Sequence, residues 1–154
     1  MSDPPDEAPG VTARRLLGAA ATASLGTIAR DGGWPYTSLV LVATDAGGAP
    51  VLLLSDLAEH SKNIAGDDRV SLLIDGTEGL EERLTGPRLT LLGRAARSAE
   101  PDHRARYLAR HPSAQRYVDF GDFAFYRIAP ESGHLVAGFG RIHAIAGAAL
   151  LAEY

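Results

Sequence analysis

Residues 55 to 63 read Ser-Asp-Leu-Ala-Glu-His-Ser-Lys-Asn, and place His60, Ser61, Lys62 and Asn63 in direct succession behind the apolar run Val51 to Leu54. Asp56 and Glu59 have the spacing of a capping box, which predicts a short helix running to about Ala65 and closed by Gly66. The first N–H groups of such a helix lack backbone partners, and Ser55, Ser61 and Lys62 fall near that end. An anion is stabilised there, with each charge-assisted bond to a phosphate oxygen contributing roughly 1.5–3 kcal/mol. The chemistry available is capture of a phosphate monoester. The alternative is a solvated surface helix in which His60 and Lys62 face water and Ser55 makes a turn.

A chain of 154 residues with a net charge of −4 is expected to form one domain able to bury a real core. The acidic balance and dispersed arginines argue against nucleic acid, whose phosphates require a clustered basic face. With no cysteine, disulfides and thiolate metal sites are excluded, which suits a reducing compartment. Residues 1–10 are acidic and Pro-rich and read as a disordered tail, leaving residues 11–154 as the domain. The longest apolar stretch, LGAAATASLG, is too short and Ala-rich to span a bilayer, so the reading is a cytoplasmic protein with no membrane partner.

The elements that must position the polar stretch alternate between strand and helix signals. Leu16, Leu17, Ala20 and Ala21 share one face of an opening helix over Val11 to Ser24. LGTIAR, DGG and PYTSLVLVATD form a hairpin pattern, with Thr37, Leu39, Leu41 and Ala43 facing one way and Ser38, Val40 and Val42 the other. PVLLLS, RVSLLID and RLTLLGRAARSA follow as strands, and Pro101 opens a helix that His111-Pro112 ends. FAFYRIAP and SGHLVAGFG close the sheet. Short turns imply antiparallel neighbours. The fold class is therefore α+β, mainly antiparallel β: a six- or seven-stranded small barrel with a few peripheral helices.

Five histidines remain, and no H-E-x-x-H, P-loop or G-x-S-x-G pattern accompanies them. His103 and His111 sit in an Arg-rich helical segment and read as a solvated face. His134 and His143 lie on or after the last strand, where a lone histidine is structural or, alternatively, a haem ligand. Tyr117, Phe120, Phe123, Phe125 and Tyr126 cluster in a pattern that suits core packing or the wall of a flat cofactor's pocket. Trp34, in a hairpin loop, reads as a contact with a partner subunit.

Taken in order, YTSLVLVATD, SDLAEHSKNIAGDDRVSLLI, RLTLLGRAARS and FAFYRIAPESGHLVAGFGRIHAI resemble the FMN-binding split-barrel superfamily that includes pyridoxamine 5′-phosphate oxidase. The likeness covers roughly residues 12 to 145 and is nearest to the haem-utilisation branch, whose S-x-L-A-x-H-[ST]-[KR]-N and D-x-R-V-S-L-L stretches match residues 55 to 73. The resemblance implies a split barrel and a homodimer with FMN in a cleft between subunits, where the cofactor performs the electron transfer on a small-molecule substrate. It places Ser38, Leu39 and Val40 along the flavin ring. Ser55, Ser61 and Lys62 would hold the phosphate and His60 would stand beside the flavin or the interface. Arg88 would make a second phosphate contact, and Phe139 and Arg141 would approach from the closing segment. The basic set that holds substrate in the vitamin B6 oxidase has no equivalent near the end of this chain, so that reaction is not expected. The alternative is a haem-binding or haem-utilisation protein without flavin turnover, with His134 or His143 as the axial ligand.

Overall fold

The structure, a computed structural model, describes residues 7–151. Helix α1 (Pro9–Ala19) leads into β1 (Thr22–Ile28), β2 (Pro35–Leu41), β3 (Ala43–Thr44) and β4 (Pro50–Ser55). Helix α2 (Glu59–Gly66), β5 (Arg69–Asp75), β6 (Arg88–Ser98), α3 (Pro101–Arg110), β7 (Phe123–Gly138) and β8 (Arg141–Ala146) follow. The eight strands form one antiparallel sheet in the order β2-β1-β5-β6-β7-β4-β3, with β8 on β7. No ladder joins β2 to β3 or β4, so the barrel is split, as the resemblance implies, with eight strands rather than the six or seven expected because the two-residue β3 and the six-residue β8 add to the sheet.

Local chemistry explains where the elements differ from expectation. The opening helix stops at Ala19 rather than Ser24, because Ala20 is extended and Thr22 to Ile28 pair with Leu41 to Pro35. The Ala-rich helical face is thus given up to a ladder that buries Ala23 and Leu25. The helix also starts at Pro9, a residue suited to a first turn, inside the stretch read as tail; residues 1–6 of that tail lie outside the described residues. The two closing strands are one, β7, which passes through Pro130 because the β6–β7 register shifts between Leu92 and Gly93. A proline without an N–H is tolerated at such an irregularity. Gly93 is required there, since a Cβ would lie 2.4 Å from the Ala129 carbonyl oxygen. Beyond the turn at Gly140 (φ 75°), residues expected to fall after the sheet form β8.

The core lies between α1 and the concave face of the sheet, where Leu17, Leu25, Leu72, Leu89, Ile128 and Leu135 are buried. Strand β4 is buried on both faces. Leu52 and Leu54 enter the main core, whereas Val51 and Leu53 pack beneath α3 with Tyr107, Ala114 and Val118. This unbroken apolar strand holds α3 against one edge region of the sheet, while α2 packs on β1 and β2.

Candidate functional site

The polar stretch is a helix, but its start is not capped as expected. The N-cap is Ala58, with no side-chain cap bond. Asp56 pairs with Arg97, and Glu59 lies 3.2 Å from Arg30, so both acids of the expected capping box are drawn off by arginines. The four successive side chains have four different environments. His60 is half-buried, with Nδ1 3.1 Å from Ser38 Oγ. Ser61 is buried, and its hydroxyl is unpartnered among the described residues. Lys62 is exposed and has no ion pair among the described residues. Asn63 is wholly buried; it donates to Thr27 Oγ1 at 3.1 Å and accepts the Arg30 N–H at 3.2 Å, which pins α2 to β1.

Between β2, β4, α2 and residues 117–123 lies a cleft of about 340 Å³, lined by Leu39, Val40, Ser55, His60, Tyr117 and Phe123 among others. Ser38 joins it through its bond to His60. Burial pushes the His60 pKa below the ordinary histidine value, so the ring is uncharged at neutral pH. The cleft therefore presents apolar and aromatic walls with a neutral imidazole at one side. Such a surface suits one face of a flat, largely apolar group.

Other candidate residues lie elsewhere or are committed. Ser55 Oγ donates to Asp122 at 2.6 Å and accepts the Leu57 N–H at 3.1 Å, so its proton is taken and a carboxylate stands beside it. Arg88 starts β6 opposite Asp75, at the end of β5 remote from the β1 residue Thr27 that α2 grips. Its guanidinium donates to Leu84 and Gly86 carbonyls and lines a separate cleft of about 400 Å³. Phe139 is 88% exposed in the β7–β8 turn, and Arg141 follows it at the start of β8. His134 is exposed opposite Ala144, whereas His143 is partly buried opposite the buried Leu135. Those two histidines point to opposite faces of the sheet, so within one chain they cannot serve a single iron together.

Two histidines read as solvated are buried. His111 Nε2 lies 2.8 Å from the Val42 carbonyl, and its ring packs 5.0 Å from Tyr107. His103 lies between Ser98 Oγ, at 2.5 Å from Nδ1, and Asp45 Oδ2, at 3.3 Å from Nε2. The spacing His103, Tyr107, His111 is an i, i+4, i+8 stripe, a pattern that marks an inward helix face and outweighs the arginines between. Asp45 also accepts from Arg127 Nε at 2.8 Å and the Ala49 N–H at 2.9 Å. Burial pushes its carboxyl up, but those bonds and the Arg127 and His103 charges together hold it below the usual range. Trp34 is 74% exposed at the β1–β2 turn and touches no core cluster.

The family model described as the CREG β-barrel matches residues 4–154 of this sequence. The chain belongs to that family. It is 45% identical over 109 residues to "Non-canonical heme oxygenase HOZ, chloroplastic" of Arabidopsis thaliana, a match that covers 69% of this chain and 33% of that protein. A solved heme binding protein from Mycobacterium smegmatis superposes with a TM-score of 0.87 at 31% identity, over 94% of this chain and 60% of that one. The chain thus spans about a third and three-fifths of these two longer relatives. HutZ, the heme storage protein of Vibrio cholerae, shares the fold at a TM-score of 0.61 and 21% identity, covering 80% of this chain and 89% of that one. The fold is that of the pyridoxamine 5′-phosphate oxidase-like split barrels. Among the described residues, no helix is long and apolar enough to cross a membrane.

Proposed function

We propose that this CREG-family chain is a haem-binding or haem-utilisation protein whose ligand lies in the cleft between β2, β4 and α2. The observation that carries the reading is the uncharged His60, held by Ser38 beside the apolar wall of Leu39, Tyr117 and Phe123. The names of the Arabidopsis and Mycobacterium relatives favour haem over flavin as the flat group. Bound haem would supply a redox-active iron. The chain's own part is to shield one ring face from water with Leu39, Tyr117 and Phe123, while His60 offers a neutral nitrogen lone pair and Ser38 fixes that ring's orientation. His134 could serve instead only from β7, four strands from β2 on the face that carries Leu39, and His143 only from the opposite face.

A second reading, FMN binding with oxidoreductase activity on a small molecule, has one specific observation in its favour. Among the described residues, the Ser61 hydroxyl has no partner and the adjacent Lys62 has no counter-charge. In either case a homodimer is proposed to complete the site. Leu39, Leu73 and Leu92 are exposed on the convex sheet face with Ile142 on β8, and burying such a surface favours association. Sedimentation should give twice the 16.2 kDa chain mass.

Haemin and FMN titrated separately into wild type, His60→Ala, His134→Ala and His143→Ala, with absorbance as readout, test the reading. A one-to-one Soret transition altered in His60→Ala alone supports it. Loss only in His134→Ala or His143→Ala would move the ligand off the cleft. A stoichiometric flavin complex with only nonspecific haemin uptake would replace haem by FMN.

A further inference from the structure

Between α1, β3 and α3, two adjoining clefts of about 340 and 350 Å³ share Gly18 and Thr44 in their walls. The first is lined by Arg106 and Arg110, which stand one helical turn apart on α3, and the second by Arg14 of α1. Elsewhere arginines are typically matched to acids, as in Arg30–Glu59, Arg69–Asp67 and Arg94–Asp68. Arg14, Arg106 and Arg110, like Arg88, have no carboxylate partner among the described residues, and these three alone border the two adjoining clefts in that state. Each donates instead to a backbone carbonyl, Arg14 to Ala149, Arg106 to Thr44 and Arg110 to Ala19, all at 2.7 Å. One bond per guanidinium restricts its position and leaves further N–H donors for a ligand.

The floor between them is small, made of Gly18, Ala43 and Ala109. Gly18 lies inside α1, where glycine weakens a helix relative to alanine, yet a Cβ there would meet nothing within 4 Å. The protein thus keeps an open space beside three uncompensated cations, although its net charge is −4. No histidine lines either cleft, which sets this place apart from the proposed haem site.

We infer that the Arg14–Arg106–Arg110 groove is a binding site for a small organic dianion bearing two carboxylate or phosphate groups. One acid group would be held by the Arg106–Arg110 pair through charge-assisted bonds, and the other would reach Arg14 across Gly18. Each cleft is metabolite-sized. Glu100 and Asp102 line the cleft next along α3, and their charge bounds the positive potential and disfavours a long polyanion.

The test is calorimetric titration of inorganic pyrophosphate and, separately, succinate at low ionic strength. At least one should bind with a Kd below about 1 mM. Arg106→Ala and Arg110→Ala should each weaken that binding about tenfold or more. Arg116→Ala, an exposed arginine remote from both clefts, should leave it unchanged. Gly18→Leu should abolish binding while thermal unfolding is retained, since the added side chain enters open space rather than the core. Which probe binds distinguishes a phosphate ester from a dicarboxylate. Failure of both probes, equal loss in Arg116→Ala, or full affinity in Gly18→Leu would overturn the site. Much tighter binding of a polyglutamate peptide would replace the small ligand by an acidic protein partner and so overturn it too.

Discussion

Around α3, Asp45 receives bonds from Arg127 and the Ala49 N–H and lies 3.3 Å from His103, whose other ring nitrogen meets Ser98. Along α2, Asn63 is satisfied at both ends of its amide, yet among the described residues the buried Ser61 hydroxyl two positions before it has no partner and Lys62 has no counter-charge. Buried polar groups cost free energy unless bonded, so a closed network reads as structure and an open one as a place kept for something else. Helix α2 lies against β1 and β2, whereas α3 lies against β3 and β4. Mutations at the bonded groups, Asp45 and Asn63, should therefore destabilise the fold, and those at Ser61 should alter ligand binding instead.

The largest effect is expected at the closed network. Asp45→Ala leaves the buried His103 and the Arg127 guanidinium without their carboxylate and should cost about 3 kcal/mol. For a domain of this length that lowers Tm by roughly 6–12 °C. Urea unfolding showing less than about 1 kcal/mol would mean the network is decorative and the contrast false. Next comes Asn63→Ala, which strands Thr27 and the Arg30 N–H and should cost about 2 kcal/mol. If its loss exceeds that of Asp45→Ala, α2 rather than α3 is the structural helix.

How much of this contrast is legible in the sequence depends on separation along the chain. The β1–β2 hairpin and the doubly buried β4 follow from local patterns, Gly32-Gly33 in the turn and an unbroken aliphatic run. The His60 to Asn63 stretch was visible as a polar cluster for the same reason. Its division into a half-buried His60 bonded to Ser38, an orphaned Ser61, a solvated Lys62 and a satisfied Asn63 was not, because Thr27, Arg30 and Ser38 come from other elements. Asp45, Ser98, His103 and Arg127 are scattered over more than 80 residues, and only the sheet brings them together. Strand β8, the six residues RIHAIA, lies behind Gly138 and Gly140, which read as the end of the sheet; its pairing with β7 makes it the last strand. The phosphate role expected of Ser55 assumed a free hydroxyl, and Asp122, 67 residues away, already holds it.

His60 gives a smaller, pH-dependent effect. Its folded pKa lies below the unfolded value near 6.5 because burial disfavours the imidazolium. The folded chain thus binds a proton less readily than the unfolded one. Its contribution to stability is present above about pH 6.5 and is lost as pH falls through the folded pKa. Urea unfolding at pH 8, 6.5 and 5.5, compared with His60→Gln, should show a wild-type decline on acidification that is flatter in the variant. Parallel profiles would mean that the ring is hydrated in the folded state and that the cleft does not keep it neutral.

The smallest effect on the fold, and the sharpest on the contrast, is expected at Ser61. Replacing a buried hydroxyl that has no partner removes a desolvated polar group without breaking a bond. Ser61→Ala should therefore leave stability unchanged or raise it by about 1 kcal/mol, whereas Asn63→Ala two residues away on the same helix destabilises. If the hydroxyl is kept for a ligand, the same substitution should weaken haemin or FMN binding while the unfolding midpoint holds or rises. A loss of more than about 1 kcal/mol in stability would show that Ser61 is bonded within the fold. The open network would then be closed after all, and α2 would differ from α3 only in the exposure of Lys62.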